Sequence, residues 1–209
     1  MLAQAVKPLV RLVDRYLPDP YIFVLILTLI VMAAAMAIEG QGPIAVMGMW
    51  GNGFWDLLAF SMQMLLVLVT GFMLASTPPV QHVLVALARL VKSPGAAIVT
   101  VSLVSLFAHW INWGFGLIVS ALLAREVARL VHVDYRLLIA SAYSGFVIWH
   151  GGLSGSVPLS IATPGHPFEA LIGVIGTSQT TLAFFNLAIV GALLVVVPLV
   201  NRLMLPRLR

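Results

Sequence analysis

Two polar interruptions lie inside otherwise apolar stretches of this chain. Positions 107–118 read FAHWINWGFGLI, where His109, Asn112, two tryptophans and two glycines stand in place of the leucines of a simple membrane anchor. Positions 150–158 read HGGLSGSVP. Three glycines, two serines and a proline within these positions make a continuous helix costly. We therefore expect a membrane helix that is broken at mid-span.

Breaks of this kind could bind small ions. The free N–H groups and the positive dipole end of a half-helix can hold an anion, and the freed carbonyl groups can hold a cation. Serine hydroxyls and the amide of Asn112 can serve either role. A purely structural interpretation stays open, in which His109 forms an interhelical hydrogen bond and the glycines and serines allow close helix packing.

The composition indicates an integral membrane protein. Of the 209 residues, 61% are hydrophobic and 9% are charged, whereas a soluble domain carries roughly a quarter charged residues. Cysteine is absent, so no disulfide and no thiolate metal site is possible. The 11 basic residues are spread in small groups beside apolar runs, which is typical of membrane topology and not of nucleic-acid binding.

Apolar runs long enough to cross the hydrocarbon core define the predicted spans. Two further stretches have the amphipathic pattern of helices that lie at a membrane surface. The predicted segments are a surface helix over 1–17, spans over 21–38 and 57–75, a surface helix over 80–92, an apolar stretch over 94–124, a broken span over 137–163 and a span over 182–200.

Lysine and arginine orient these segments. The links 39–56 and 164–181 contain neither residue, so the positive-inside rule places both links outside and both chain ends in the cytoplasm. Lys92 and Arg125 then flank residues 94–124 on the same side. Two full crossings need roughly 40 residues plus a turn, more than this stretch holds. We therefore predict a re-entrant helical hairpin that turns near Trp110 to Gly116.

At these residues the chain resembles the short-chain fatty acid transporter family, the bacterial acetoacetate/butyrate permeases. The resemblance implies an inner-membrane secondary carrier for short monocarboxylates. It also implies kinship with an ion-transporter superfamily, in which hairpin tips and broken helices from two inverted repeats build the substrate and ion sites. The strings that carry it are WINWGFGLI (110–118), VDYRLLIASAYSGFVIWHGGLSGSVPLSIATPGH (133–166) and IGVIGTSQT (172–180).

The same resemblance suggests which residues form the site. The hairpin tip and the unwound segment would bind the substrate carboxylate, and Trp113 or Phe115 would suit a short alkyl chain. A coupling ion, sodium or proton, would be bound or relayed nearby. The substrate candidates are Asn112, Trp113, Gly114, Ser154, Gly155 and Ser156; the ion candidates are His109, His150 and Gly152.

The expected fold is an all-α integral membrane protein that resembles one repeat of that superfamily. It would have about four membrane spans, a re-entrant hairpin and a broken helix. Family members are about twice as long, so the chain resembles an N-terminal half. Its expected partners are the bilayer, a short-chain monocarboxylate and either a second half or further copies of itself. Neither a cofactor nor a resident metal ion is expected.

Two alternative functions stay open. One is a non-transporting accessory or half subunit that needs a second-half partner. The other is an intramembrane serine protease, because residues 152–155 fit the rhomboid-like GxSG pattern and His109 with Asn112 could supply a base or an oxyanion donor. A rhomboid-like dyad uses a histidine on a later span, and residues 182–200 contain none. We therefore expect a transporter and not an enzyme.

Overall fold

A computed structural model describes residues 19–55, 58–166 and 168–205 of the chain. Every regular element in these ranges is a helix, which confirms the all-α fold class. The surface helix predicted over 1–17 lies outside the described residues. In chain order the elements are α1 Pro20–Ile38, α2 Pro43–Gly53, α3 Leu58–Ala75, α4 Pro78–Leu90, α5 Pro94–Ile111, α6 Trp113–Leu130, α7 Tyr135–Ser144, the 3-10 helix Gly145–Gly151, α8 Ser156–Ile161, α9 Glu169–Ile172, the 3-10 helix Thr177–Gln179 and α10 Phe184–Leu203.

Several helices begin at residues that satisfy their first N–H groups. Asp19 accepts from Tyr21 N at 2.8 Å, and Ser93 accepts from Ala96 N at 3.3 Å. Asp134 accepts from the N–H groups of the two residues that open α7. Proline occupies the first turn of α1, α2, α4 and α5, where its missing N–H needs no partner.

Length and composition identify the helices that could cross a membrane. Four helical stretches of the described part qualify, one of which combines α7, the first 3-10 helix and α8. The bent pair Ser61–Ala75 and Pro78–Leu90 would make a fifth if it counts as one span. The two helices of this pair are bent by 68° relative to each other, and the second begins at Pro78 and Pro79. Proline is expected here because it cannot continue the preceding helix. The four are Pro20–Ile38, Pro94–Ile111, Tyr135–Ile161 and Phe184–Leu203.

The chain divides into two compact units, Met1–Leu66 and Val67–Arg209. In the first unit, α1 is apolar on every side and has no buried residue. A helix that is apolar all round suits a hydrocarbon environment. In the second unit, α5 is the central helix, because α6, α7, α10 and the first 3-10 helix all pack against it.

The core of the second unit combines large apolar side chains with small ones. Helices in lipid gain little from the hydrophobic effect, so van der Waals packing and interhelical hydrogen bonds must hold them together. Small residues allow this packing. A Cβ atom at Gly71 would lie 2.9 Å from Phe115 N, and one at Gly114 would lie 3.0 Å from Val67 O. The largest fully buried apolar side chains are Ile98, Leu106, Leu123, Leu138 and Ile148.

Helices α5 and α6 form a helical hairpin with Asn112 as its only linking residue. Each helix has 18 residues and is therefore roughly 27 Å long. Helix α6 continues to Leu130, beyond the predicted end at residue 124, and Glu126 pairs with Arg129 within this extension. That the hairpin enters and leaves the membrane at the same face stays a prediction.

Helix α4 matches the stretch 80–92 that has an amphipathic pattern. Its apolar residues Leu84 and Ala88 are buried in the protein core, and the helix packs against α6. Part of its apolar face is therefore covered by protein. Its position at the membrane surface stays a prediction.

The chain over 137–163 is interrupted between two short α-helices. Helix α7 leads into the 3-10 helix Gly145–Gly151, and regular helix resumes only at Ser156. Pro158, the proline of this stretch, lies in the first turn of α8. Proline is tolerated there because the first N–H groups of a helix have no intrahelical partner. The interruption therefore precedes the proline.

Gly145 provides a test of how α5 packs against this segment. A Cβ atom at Gly145 would collide with the Ser105 hydroxyl and would lie 2.6 Å from Leu106 N. We expect Gly145→Ala to lower the free energy of unfolding by about 1–3 kcal/mol and so to lower the melting temperature of the purified chain in detergent. Gly191→Ala is the matched control, because a Cβ atom there meets nothing within 4 Å. Equal melting temperatures for the two variants would contradict this packing.

Candidate functional site

The two polar interruptions of the sequence are in direct contact. Leu153 N–H donates to the carbonyl of Trp110 at 2.7 Å. Trp113 N–H donates to Ser154 Oγ at 3.0 Å. Gly152 permits this approach, because a Cβ atom there would lie 2.8 Å from Trp110 Cα. The tip of the α5–α6 hairpin and the unwound segment therefore form one structural unit.

Asn112 terminates one helix and caps the next. Its backbone is extended, with φ −154° and ψ 125°, and its N–H donates to Ala108 O at 2.9 Å. Its Oδ1 accepts from Phe115 N at 3.0 Å, which is the bond of an N-cap residue. In the described part of the chain, the side-chain NH₂ of Asn112 has no protein acceptor. That group stays free to donate to a ligand.

Ser154 also keeps a free donor. Its Oγ accepts from Trp113 N–H, and its hydroxyl hydrogen has no acceptor among the residues that the structure describes. Its carbonyl accepts from Trp149 Nε1 at 3.0 Å, which fixes the segment against an aromatic side chain. Ser156, the other candidate serine, opens α8 two residues further on and is half-buried.

Three aromatic side chains surround this contact. The ring centroids of Phe146 and Trp149 are 4.9 Å apart, and those of Trp113 and Trp149 are 5.7 Å apart. Trp113 and Phe146 meet edge to face at 6.4 Å. We call Trp113, Phe146 and Trp149 the aromatic cluster. Phe115, the other residue suggested for an alkyl wall, does not join it and instead lines an apolar groove with α4.

His109 lies behind the tip and is completely buried. Its Nδ1 is 2.8 Å from Ser105 O and 3.2 Å from Ser105 Oγ. The Ser105 hydroxyl donates to Ala142 O, so the neutral ring must carry its hydrogen on Nδ1 to complete these contacts. Nε2 then holds a lone pair, and it has no partner within the described ranges. Gly116 leaves the space that the imidazole occupies, because a Cβ atom there would lie 2.7 Å from Nδ1.

His150 has a different environment. It is exposed, and its ring stacks on Trp149 with centroids 4.1 Å apart. The ring of His109 instead contacts Phe146 at 5.5 Å. No contact joins the two histidines in the part of the chain that the structure describes. Each of them therefore reaches a different member of the aromatic cluster.

Two asparagines of α10 contribute to this region, although the sequence analysis did not select them. Asn186 Nδ2 donates to Gly151 O at 2.9 Å and to Thr181 O at 2.7 Å. It therefore satisfies a carbonyl beside the unwound segment. The signal that could have found it is an asparagine in the first turn of a span whose next polar residue is Asn201.

Asn201 is the second of these residues. Its Nδ2 donates to Ser102 Oγ at 2.9 Å and to Ser144 Oγ at 2.8 Å. Asn201 and Ser102 are buried, so this network ties α10 to α5 and α7 inside the protein. Serine and asparagine side chains commonly join helices in this way in membranes.

The carbonyl groups at the breaks already have donors. Trp110 O accepts from Leu153 N, Gly151 O from Asn186, Gly152 O from Gly155 N at 3.2 Å and Ser154 O from Trp149. Each carbonyl keeps a second lone pair. The unused donors of Asn112 and Ser154 are therefore the more available binding groups of the site.

The sequence profile of the short chain fatty acid transporter family matches residues 1–209. The chain belongs to this family. It is 48% identical over 208 residues to a protein of Escherichia coli (strain K12). It is 40% identical over 215 residues to a protein of Haemophilus influenzae (strain ATCC 51907 / DSM 11121 / KW20 / Rd). Both relatives are named provisionally as short-chain fatty acid transporters.

These alignments cover 99% of this chain but 47% and 48% of the two relatives. The chain therefore spans about half the length of the curated relatives it matches. No solved structure matches the chain significantly. Membership of this family and the apolar helices together make the chain a multi-pass membrane protein of a transporter family.

The protease interpretation finds little support in the geometry. The Oγ atom of Ser154 accepts from a backbone N–H, and no histidine forms a hydrogen bond with it across the described ranges. A serine nucleophile needs a base within hydrogen-bonding distance.

The two roles of Asn112 can be separated by substitution. Serine at an N-cap accepts the same backbone hydrogen bond as asparagine but lacks the amide donors, whereas alanine lacks both. We expect Asn112→Ala to lower the free energy of unfolding by about 1 kcal/mol, and Asn112→Ser to stay close to the wild type. Thermal melting of the purified chain measures both values. Equal losses for serine and alanine would show that the cap contributes little.

Proposed function

We propose that this chain is a secondary carrier for short-chain fatty acids such as acetoacetate or butyrate, or the N-terminal half of one. The observation that carries the proposal is the contact between the hairpin tip and the unwound segment. It brings the free donors of Asn112 and Ser154 together beside an aromatic cluster. A short-chain fatty acid needs such a pairing, because it has a carboxylate at one end and a short alkyl chain at the other.

In this proposal the carboxylate binds the side-chain amide of Asn112 and the hydroxyls of Ser154 and Ser156. Hydrogen bonds to an ionised acceptor are stronger than those between neutral groups, so two or three donors would compensate for lost hydration. Gly114 and Gly155 are buried and contribute by letting the tip and the segment pack closely, Gly114 against Val67 and Gly155 against the carbonyl of His150. The alkyl chain packs against Trp113 and the rest of the aromatic cluster.

Transport would be coupled to an ion, either sodium or a proton. The second lone pairs of the carbonyls near Gly152 are the candidate ligands for sodium. For a proton, the candidates are His109, whose Nε2 is a buried acceptor without a partner among the described residues, and the exposed His150. The positive-inside rule supports a bacterial inner-membrane location with both ends of the chain in the cytoplasm.

A second candidate function is a half subunit that does not transport alone. The alignment covers 47% of the Escherichia coli relative, so the site of that relative can include residues outside the matched part. Superfamily sites are built from two inverted repeats, and identical copies inserted with the same orientation cannot reproduce an inverted pair. A second half would then complete the site from the opposite side.

The first experiment measures uptake of radiolabelled butyrate by proteoliposomes that contain only this purified chain. Sodium and pH gradients are imposed separately, and accumulation that depends on one of them identifies the coupling ion. If properly folded protein gives no uptake, the C-terminal half of a family relative is reconstituted with it. Uptake restored by that half would support the half-subunit function. Its continued absence would contradict transport of butyrate.

Point variants then test the binding residues in whichever preparation transports. We expect Asn112→Ser and Ser154→Ala to reduce butyrate uptake by at least about tenfold, because loss of one donor to a charged acceptor removes roughly 1.5–3 kcal/mol. Ser160→Ala is the matched control, since Ser160 is an exposed serine on α8. Wild-type uptake by both site variants would refute the site assignment.

A further inference from the structure

The second unit contains a basic pocket far along the chain from the candidate transport site. This open pocket has a volume of about 490 Å³ and lies where α4 ends and α5 begins. Its polar lining is cationic or titratable, and it contains no acidic side chain. We call it the basic pocket; it is lined by Arg89, Val91, Lys92, Pro94, Leu130, Val131 and His132.

The positive charge of the basic pocket is not compensated by nearby carboxylates. Across the described residues, the ion pairs are those of Glu126 with Arg125 and Arg129, and neither Arg89 nor Lys92 takes part in one. Asp134, the acid closest in sequence to His132, caps α7 through the N–H of Arg136 at 3.0 Å. An anion would therefore find two unpaired cations in this pocket.

An apolar groove runs along the same helix, α4. It has a volume of about 520 Å³, and its lining is almost entirely apolar. Leu87 and Arg89 leave α4 on different sides, so they do not themselves join the two features. Both features are instead lined by the same three helices, the groove along their lengths and the basic pocket where α4 and α6 end and α5 begins. We call it the apolar groove; it is lined by Pro79, Val80, Val83, Leu84 and Leu87 of α4, by Leu103, Val104, Phe107, Ala108 and Ile111 of α5, and by Phe115 and Val119 of α6.

We propose that these two features together bind one anionic phospholipid, with its phosphate in the basic pocket and an acyl chain in the apolar groove. A cationic site beside a groove about as apolar as hydrocarbon matches a ligand with a charged head and a long alkyl chain. A free anion would leave the groove unexplained, and an apolar helix would leave the cations unexplained. Basic pockets between membrane helices are known to hold anionic headgroups. This inference does not depend on transport.

The test compares lipids bound to the purified full chain by native mass spectrometry. Dioleoyl phosphatidylglycerol and dioleoyl phosphatidylcholine are added at equal concentration, so that only the headgroup differs. We expect phosphatidylglycerol to be retained at least about tenfold more strongly, since each basic residue near a membrane surface contributes appreciably to binding of anionic lipid. Equal retention of the two lipids would overturn the proposal.

Charge variants identify where the preference arises. Arg89→Gln with Lys92→Gln should reduce retention of phosphatidylglycerol to about that of phosphatidylcholine. Arg125→Gln with Arg129→Gln is the matched control, because it removes the same charge from residues that pair with Glu126 outside the pocket. Equal losses in both variants would show a general effect of net charge and would overturn the site. Unchanged melting temperatures establish that the variants are folded.

Two further measurements test whether the pocket prefers free phosphate and whether the apolar groove holds the acyl chain. Millimolar inorganic phosphate should not displace the lipid, and complete displacement would assign the pocket to free phosphate instead. Val83→Trp should fill the groove and weaken retention of phosphatidylglycerol, whereas Val195→Trp, an exposed position of α10, should not. If the Val83→Trp variant retained phosphatidylglycerol fully, the apolar groove would be excluded as the site of the acyl chain. A dimeric wild type that becomes monomeric with Val83→Trp would assign the groove to a second copy.

Discussion

The structure depends on one constraint, which is that backbone groups freed by a broken helix inside a membrane must find partners within the protein. An unsatisfied group in hydrocarbon costs several kcal/mol. The two interruptions meet this requirement for each other, because Leu153 N–H donates to Trp110 O and Trp113 N–H donates to Ser154 Oγ. Asn112 and Asn186 satisfy further groups at the same place. Neither break is therefore independent of the other, and the site exists only where both are formed.

The packing of the surrounding helices follows from the same constraint. Because lipid offers no hydrophobic driving force between helices, close contact must come from small residues and from buried polar bonds. Gly116 makes room for His109, and Gly145 makes room for Ser105, so α5 approaches both neighbours closely. The network of Asn201 then fixes α10 against α5. The central position of α5 thus reflects polar and small residues more than large apolar ones.

Sequence alone was informative wherever a feature is local. The apolar runs, the interruption at Asn112 and the glycine-rich break after His150 all follow from composition and backbone propensity within a few residues. The contact between residues 110–113 and 153–154 joins distant positions, since Trp113 and Ser154 are 41 residues apart, and only the family resemblance suggested it. Asn186 and Asn201 were missed because a single polar residue in an apolar run has no periodic signature. Where the helix resumes could not be predicted, because Pro158 is compatible with the first turn of a helix as well as with a break.

The hydrogen bonds already formed at the breaks also bear on which ligand the site prefers. The carbonyls of Trp110, Gly151 and Ser154 each accept a bond from the protein, whereas the amide of Asn112 and the hydroxyl of Ser154 keep unused donors among the described residues. A cation would have to use carbonyl lone pairs that are left over, while a carboxylate would meet groups that have no other acceptor. Under the proposed function, this inventory of donors and acceptors favours an anion at the contact between the tip and the unwound segment. His109 Nε2 is a buried acceptor behind that contact and has no donor among the described residues. A proton that entered with the anion and bound to this nitrogen would remove its need for a donor.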